Sequence, residues 1–140
     1  MPYSVIYNKK GYSLLEMVTV IAIITVLAAV AVIAIKSNMP QYYLSGAARQ
    51  VLTDLMLTRM QAVSTNAATT VTFNSTGYTI GGVAKDISSQ FGGVSLSSTG
   101  NITFTTMGTA SGSVTITLTG SPELPPKRVD VSAAGRVRIR

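Results

Sequence analysis

The sequence predicts an α+β fold, in which a long N-terminal helix spans a membrane with its first half and packs its second half against a small antiparallel β-sheet headpiece. Three observations carry this. Met17–Ile35 is an uncharged run of 19 residues, interrupted only by Thr19 and Thr25. From Leu44 to Ala62 apolar residues recur at helical spacing, and after Asn66 the pattern changes to period two. The composition agrees: of 140 residues only 11% are charged, and the mean hydropathy of +0.39 is too apolar for a disordered chain.

The apolar run covers about 28 Å as a helix, close to the ~30 Å hydrocarbon core of a bilayer. A buried helix of a soluble domain is a poor alternative, because some 100 remaining residues could hardly wrap it. A cleavable secretory signal is a second alternative, since Ala29-Val30-Ala31 resembles a small-x-small cleavage site. Lys9 and Lys10 precede the run as a positive cytoplasmic flank, which predicts a single-pass inner-membrane protein with a translocated C-terminus. Glu16 stands at the edge of the run, behind Gly11-Tyr12-Ser13-Leu14-Leu15. A structural acid there snorkels to the surface, whereas a functional one needs a cation. The run supplies none, which points to a partner from another chain.

The helix continues through Leu44, Ala48, Val51, Leu55 and Ala62, a stripe widened by Leu52, Met56 and Val63. Gln50, Asp54, Thr58 and Gln61 lie off the stripe. Pro40, after Ser37 and Asn38, is expected to bend or interrupt the helix. Tyr12 to Asn66 makes a stem of roughly 80 Å if straight.

Beyond Asn66, residues 70–73 and 78–80 flank Asn74-Ser75-Thr76-Gly77 and read as a hairpin. Further strands are expected at Val94–Ser98, Ile102–Thr106, Val114–Thr119, Val129–Val131 and Val137–Ile139, with Thr and Ser on their alternate positions. Gly108 to Gly112 form a turn, and Pro122, Pro125 and Pro126 break the next connection.

The net charge is +6, and Lys127, Arg128, Arg136, Arg138 and Arg140 crowd the last fourteen residues. In an extended strand Arg136, Arg138 and Arg140 share one face, opposite Val137 and Ile139. Two readings follow. The arginines keep an edge strand wet and discourage edge-to-edge pairing, or they form a ridge spaced to contact nucleic-acid phosphates. No aromatic residue interleaves them for base stacking.

The chain has no Cys and no His, so disulfides, Cys/His zinc sites and His-dependent catalytic triads are excluded. Asp54, Asp86, Glu123 and Asp130 show no paired spacing. Neither an enzyme nor a bound cofactor is expected.

Residues 9–16, Lys-Lys-Gly-Tyr-Ser-Leu-Leu-Glu, followed by the apolar run, resemble the prepilin signature of type IV pilins and type II secretion pseudopilins. The resemblance implies a pilin-like fold and cleavage after Gly11 by a prepilin peptidase. It further implies N-methylation of Tyr12 and a Glu16 that neutralises the N-terminal amine of a neighbouring subunit during assembly. Tyr12 replaces the family's usual Phe, and Ile33 stands where many members carry Pro. Residues 58–63, 71–73, 102–104, 114–118 and the terminal Val129-Asp130-Val131 with Gly135-Arg136-Val137-Arg138 are similar to the GspH/FimT branch.

The implied organisation is a leader at 1–11, a transmembrane and assembly helix at 12–36, an amphipathic helix at 37–66 and a β headpiece at 67–140. The implied partners are other pilin or pseudopilin subunits, the processing peptidase and methyltransferase, and the inner membrane. In FimT-like members a Gly-Arg-x-Arg ending with a further Arg accompanies DNA capture for natural transformation. Secretion pseudopilins share that ending, so DNA remains one of two expectations for the basic strand.

Overall fold

The computed structural model describes residues 11–140 and divides into two compact units, one ending at Ser37 and the other spanning Asn38–Arg140. Apart from Gly11, the expected leader, with its Lys9 and Lys10, lies outside the described residues.

Helix α1 runs Leu14–Ser64. Its N-terminus is set by Ser13, whose carbonyl accepts from the amides of Glu16 (3.0 Å) and Met17 (3.2 Å). Within the apolar run the two hydroxyls are absorbed by the helix itself. Thr19 Oγ1 donates to the Leu15 carbonyl and Thr25 Oγ1 to that of Ala22, each at 2.8 Å. The segment Leu14–Val32 has a mean hydropathy of 2.6 and is 0% buried, so it is long and apolar enough to cross a membrane. The interruption expected at Pro40 is absent, because Pro40 lies inside α1. Proline withholds one amide donor and crowds the carbonyl four residues back, but its fixed φ is already helical, so the helix can continue through it.

In the second unit, residues of α1 pack against the expected antiparallel β headpiece, which is built as two four-stranded sheets. The strands are β1 (Thr69–Phe73), β2 (Gly77–Ile80), β3 (Val83–Asp86), β4 (Ser95–Ser98), β5 (Ile102–Phe104), β6 (Val114–Thr119), β7 (Lys127–Val131) and β8 (Val137–Ile139), with a four-residue helix α2 (Ile87–Gln90) between β3 and β4. One sheet has the order β3-β2-β1-β5 and the other β4-β6-β7-β8. The β1–β2 hairpin forms at the expected turn. Asn74 Oδ1 accepts from the amides of Thr76 (3.1 Å) and Gly77 (2.6 Å), and Phe73 faces Tyr78 across it.

Period-two alternation decides the sheet faces. In β6, Val114, Ile116 and Leu118 are buried while the intervening threonines are not. With Leu96, Val129, Val131 and Val137 they face the α1 residues Leu44, Ala47, Ala48, Val51, Leu55 and Ala62 in one core that also takes in Tyr78 and Phe104. The buried stripe differs in membership from the expected one: Met56 and Val63 are exposed, whereas Asp54 and Thr58 are buried. A helix covered by two sheets buries more than one stripe, and polar residues at the seam must then find partners.

Candidate functional site

The N-terminal candidates sit together in the first unit. Gly11 has nothing within 4 Å of its side-chain position, Tyr12 is 76% exposed, and Glu16 occupies the first turn of α1. A carboxylate there meets the positive end of the helix dipole. Among the described residues Glu16 has no ion-pair partner.

The basic candidates sit in the second unit, on β7 and β8. Strand β8 is the edge of its sheet. Its register with β7 places Asp130 opposite Arg138, and the Arg128 and Arg140 backbones exchange hydrogen bonds at 3.0 and 2.8 Å. Residues opposite each other share a face, so Arg128, Arg136, Arg138 and Arg140 project from the exposed side. The expected ridge of three arginines is therefore joined by Arg128. Lys127, one residue off, points the other way and donates to Ser45 Oγ at 3.0 Å. The ridge also holds an acid. Asp130 pairs with Arg140 Nε at 3.3 Å and accepts from Thr115 Oγ1 at 2.9 Å. Val137 is buried beneath this face and Ile139 is 36% exposed.

Gly135, which opens the Gly-Arg-x-Arg stretch, has a structural reason to be glycine. Its φ is +75°, and a Cβ there would lie 2.1 Å from the Gly108 carbonyl oxygen. That same carbonyl accepts from Arg59 Nε at 2.7 Å, which ties the β5–β6 turn to α1.

One polar cluster has no contiguous signal in the sequence. Asp54, only 4% exposed, accepts on Oδ2 from Tyr78 Oη (2.5 Å), Lys85 Nζ (2.8 Å) and Gln50 Nε2 (3.2 Å). Burial alone would push its carboxyl up. The donors Lys85, Tyr78 and Gln50, with the Lys85 charge, outweigh burial and hold it below the usual carboxylate range. Burial, then the hydrogen bond to Asp54 and its charge, raise the Tyr78 hydroxyl, which remains a donor. Only the Gln50–Asp54 spacing of four was visible in the sequence. Tyr78 and Lys85 arrive from β2 and β3. Among the described residues no group of three or more His, Cys, Asp or Glu is placed to hold a metal ion.

An exposed apolar helix led by an acid with no ion pair among the described residues, together with an α+β unit of two antiparallel sheets, defines a pilin-like subunit. The chain belongs to the GspH family, described as type II transport protein GspH, whose family model matches residues 47–135. The model of the prokaryotic N-terminal methylation motif matches residues 6–32 and so takes in Gly11, Tyr12 and Glu16. The GspH match ends at Gly135, so Arg136, Arg138 and Arg140 lie beyond it. In fold the chain is similar to the type IV minor pilin FimU of Pseudomonas aeruginosa strain PAO1. In the P21 crystal form the TM-score is 0.56 at 20% identity, covering 71% of this chain and 90% of that one. In the P65 form the values are 0.53, 19%, 69% and 91%. No significant match exists among the curated proteins.

Proposed function

We propose that the chain is a minor pilin or pseudopilin that is cleaved after Gly11, N-methylated at Tyr12 and assembled into a type IV pilus or a type II secretion pseudopilus. Before assembly it sits in the inner membrane with its head on the far side. The observation that carries this reading is Glu16, exposed and without an ion pair among the described residues, at the head of an apolar helix that the chain's own fold leaves uncovered. Packing the run Leu14–Val32 against the same run of neighbours replaces lipid contact at little cost in apolar exposure. A Glu16 carboxylate beside the Tyr12 amine of a neighbour sets the axial register, because desolvated charges tolerate only the paired arrangement. Glu16→Ala is expected to leave processing intact and to abolish recovery of the subunit in sheared filaments. Wild-type incorporation of that variant overturns the role.

A second reading, DNA capture, is favoured by the gathering of Arg128 with Arg136, Arg138 and Arg140 on one exposed face. Four phosphate contacts predict a slope of roughly −3.6 for log affinity against log salt on duplex DNA. The test titrates the chain against fluorescent duplex beside the Arg136→Ala, Arg138→Ala, Arg140→Ala triple variant. Salt-dependent binding lost in the variant supports DNA capture. Absence of binding at low salt leaves the arginines as protection for the β8 edge or as a subunit contact.

A further inference from the structure

All three methionines that follow Met39 converge on one groove. Met56 and Met60, one turn apart on α1, and Met107, from the β5–β6 turn, line an open cavity of about 640 Å³. They are 43%, 66% and 87% exposed, so their sulfurs are accessible to solvent. They take no part in the core, although Met56 belongs to the helical stripe that the sequence assigns to it. The turn that carries Met107 is pinned to the helix that carries the other two by the Arg59–Gly108 hydrogen bond of 2.7 Å.

A thioether is a neutral, soft donor that favours Cu(I) and similar ions over zinc, magnesium or calcium. The chain has neither Cys nor His, so its soft donors are methionines alone, and its head places three of them around one space. Arg59 lines the same groove. Its charge repels a divalent ion twice as strongly as a monovalent one at equal distance, which sharpens the preference for a single charge. We propose that Met56, Met60 and Met107 form a thioether site for a soft monovalent cation of the Cu(I) class. The site shares no residue with the N-terminal apolar segment of α1 or with the arginine ridge.

The test uses the full chain in detergent, with Ag(I) as a redox-inert probe and Cu(I) presented through a competing chromophoric chelator. One equivalent of Ag(I) is expected to bind, shifting the labelled methyl resonances of Met56, Met60 and Met107 while those of Met17 and Met39 stay in place. Leucine preserves the apolar volume and removes only the sulfur. Met56→Leu, Met60→Leu and Met107→Leu are each expected to weaken binding by about tenfold or more, a scale that even outer-shell changes reach. Met39→Leu is the unaffected control. Non-saturable uptake, equal binding by the triple leucine variant, or equal affinity for Zn(II) each overturns the proposal and leaves the groove as an apolar docking surface.

Discussion

Asp54 is almost wholly withdrawn from water, and three donors keep it charged there. Its native pKa lies below the ordinary 3.8 of an unfolded chain. The stabilisation is therefore complete above the unfolded value and is lost as pH falls through the native one. Thermal unfolding of Asp54→Asn is expected to show a loss of about 1–3 kcal/mol at neutral pH and a shallower decline below pH ~4. Gly135→Ala is the other costly single change. It forces a Cβ against the Gly108 carbonyl at a positive φ, and about 2–4 kcal/mol should be lost. Arg136→Ala, one residue on and exposed, should stay within about 0.5 kcal/mol on the same melt. The two changes separate structure from surface inside one Gly-Arg-x-Arg stretch. Glu16 and Gly11 could be proposed as site residues from the sequence because a contiguous motif carries them. Asp54 could not, since its partners Tyr78 and Lys85 stand 24 and 31 residues away.

At the scale of elements, strands with clean alternation and a turn signal were legible. The β1–β2 hairpin and β6 follow directly from their Val/Ile/Thr patterning. Strand β3 was not: Val83 is exposed, no residue of the strand is buried, and its pairing with β2 alone holds it at the sheet edge. Helix α2 is a single turn started by Asp86, whose side chain accepts from the Ser89 amide at 3.1 Å. Periodicity cannot register so short an element. The pairing of β7 with β8 also makes a sharper prediction for the basic face. If the ridge binds duplex DNA, Arg128→Ala lowers the salt slope by about 0.9, whereas Lys127→Ala leaves it unchanged because its ammonium turns toward Ser45. Equal effects of the two substitutions would contradict that geometry.

At the scale of the molecule, fold class and anchoring were legible because the long apolar run and the period-two tail are coarse patterns. The division of the head into two sheets depends on long-range pairing, such as β1 with β5, that no local window contains. Processing belongs to this scale too. Gly11→Val is expected to leave the chain at its full mass, with its leader attached, and intact mass spectrometry reads this directly. If the subunit is held in a filament by its helix, as proposed, tension on that filament enters the head along α1. Side-chain ties join that helix to both sheets and to the turn between them: Lys127 to Ser45, Arg59 to Gly108, and Tyr78 and Lys85 to Asp54. They act in parallel with the buried core and load different strands. A pull on α1 is thus shared among β2, β3, β7 and the β5–β6 turn, so mechanical failure of the head requires these ties to break together with the core.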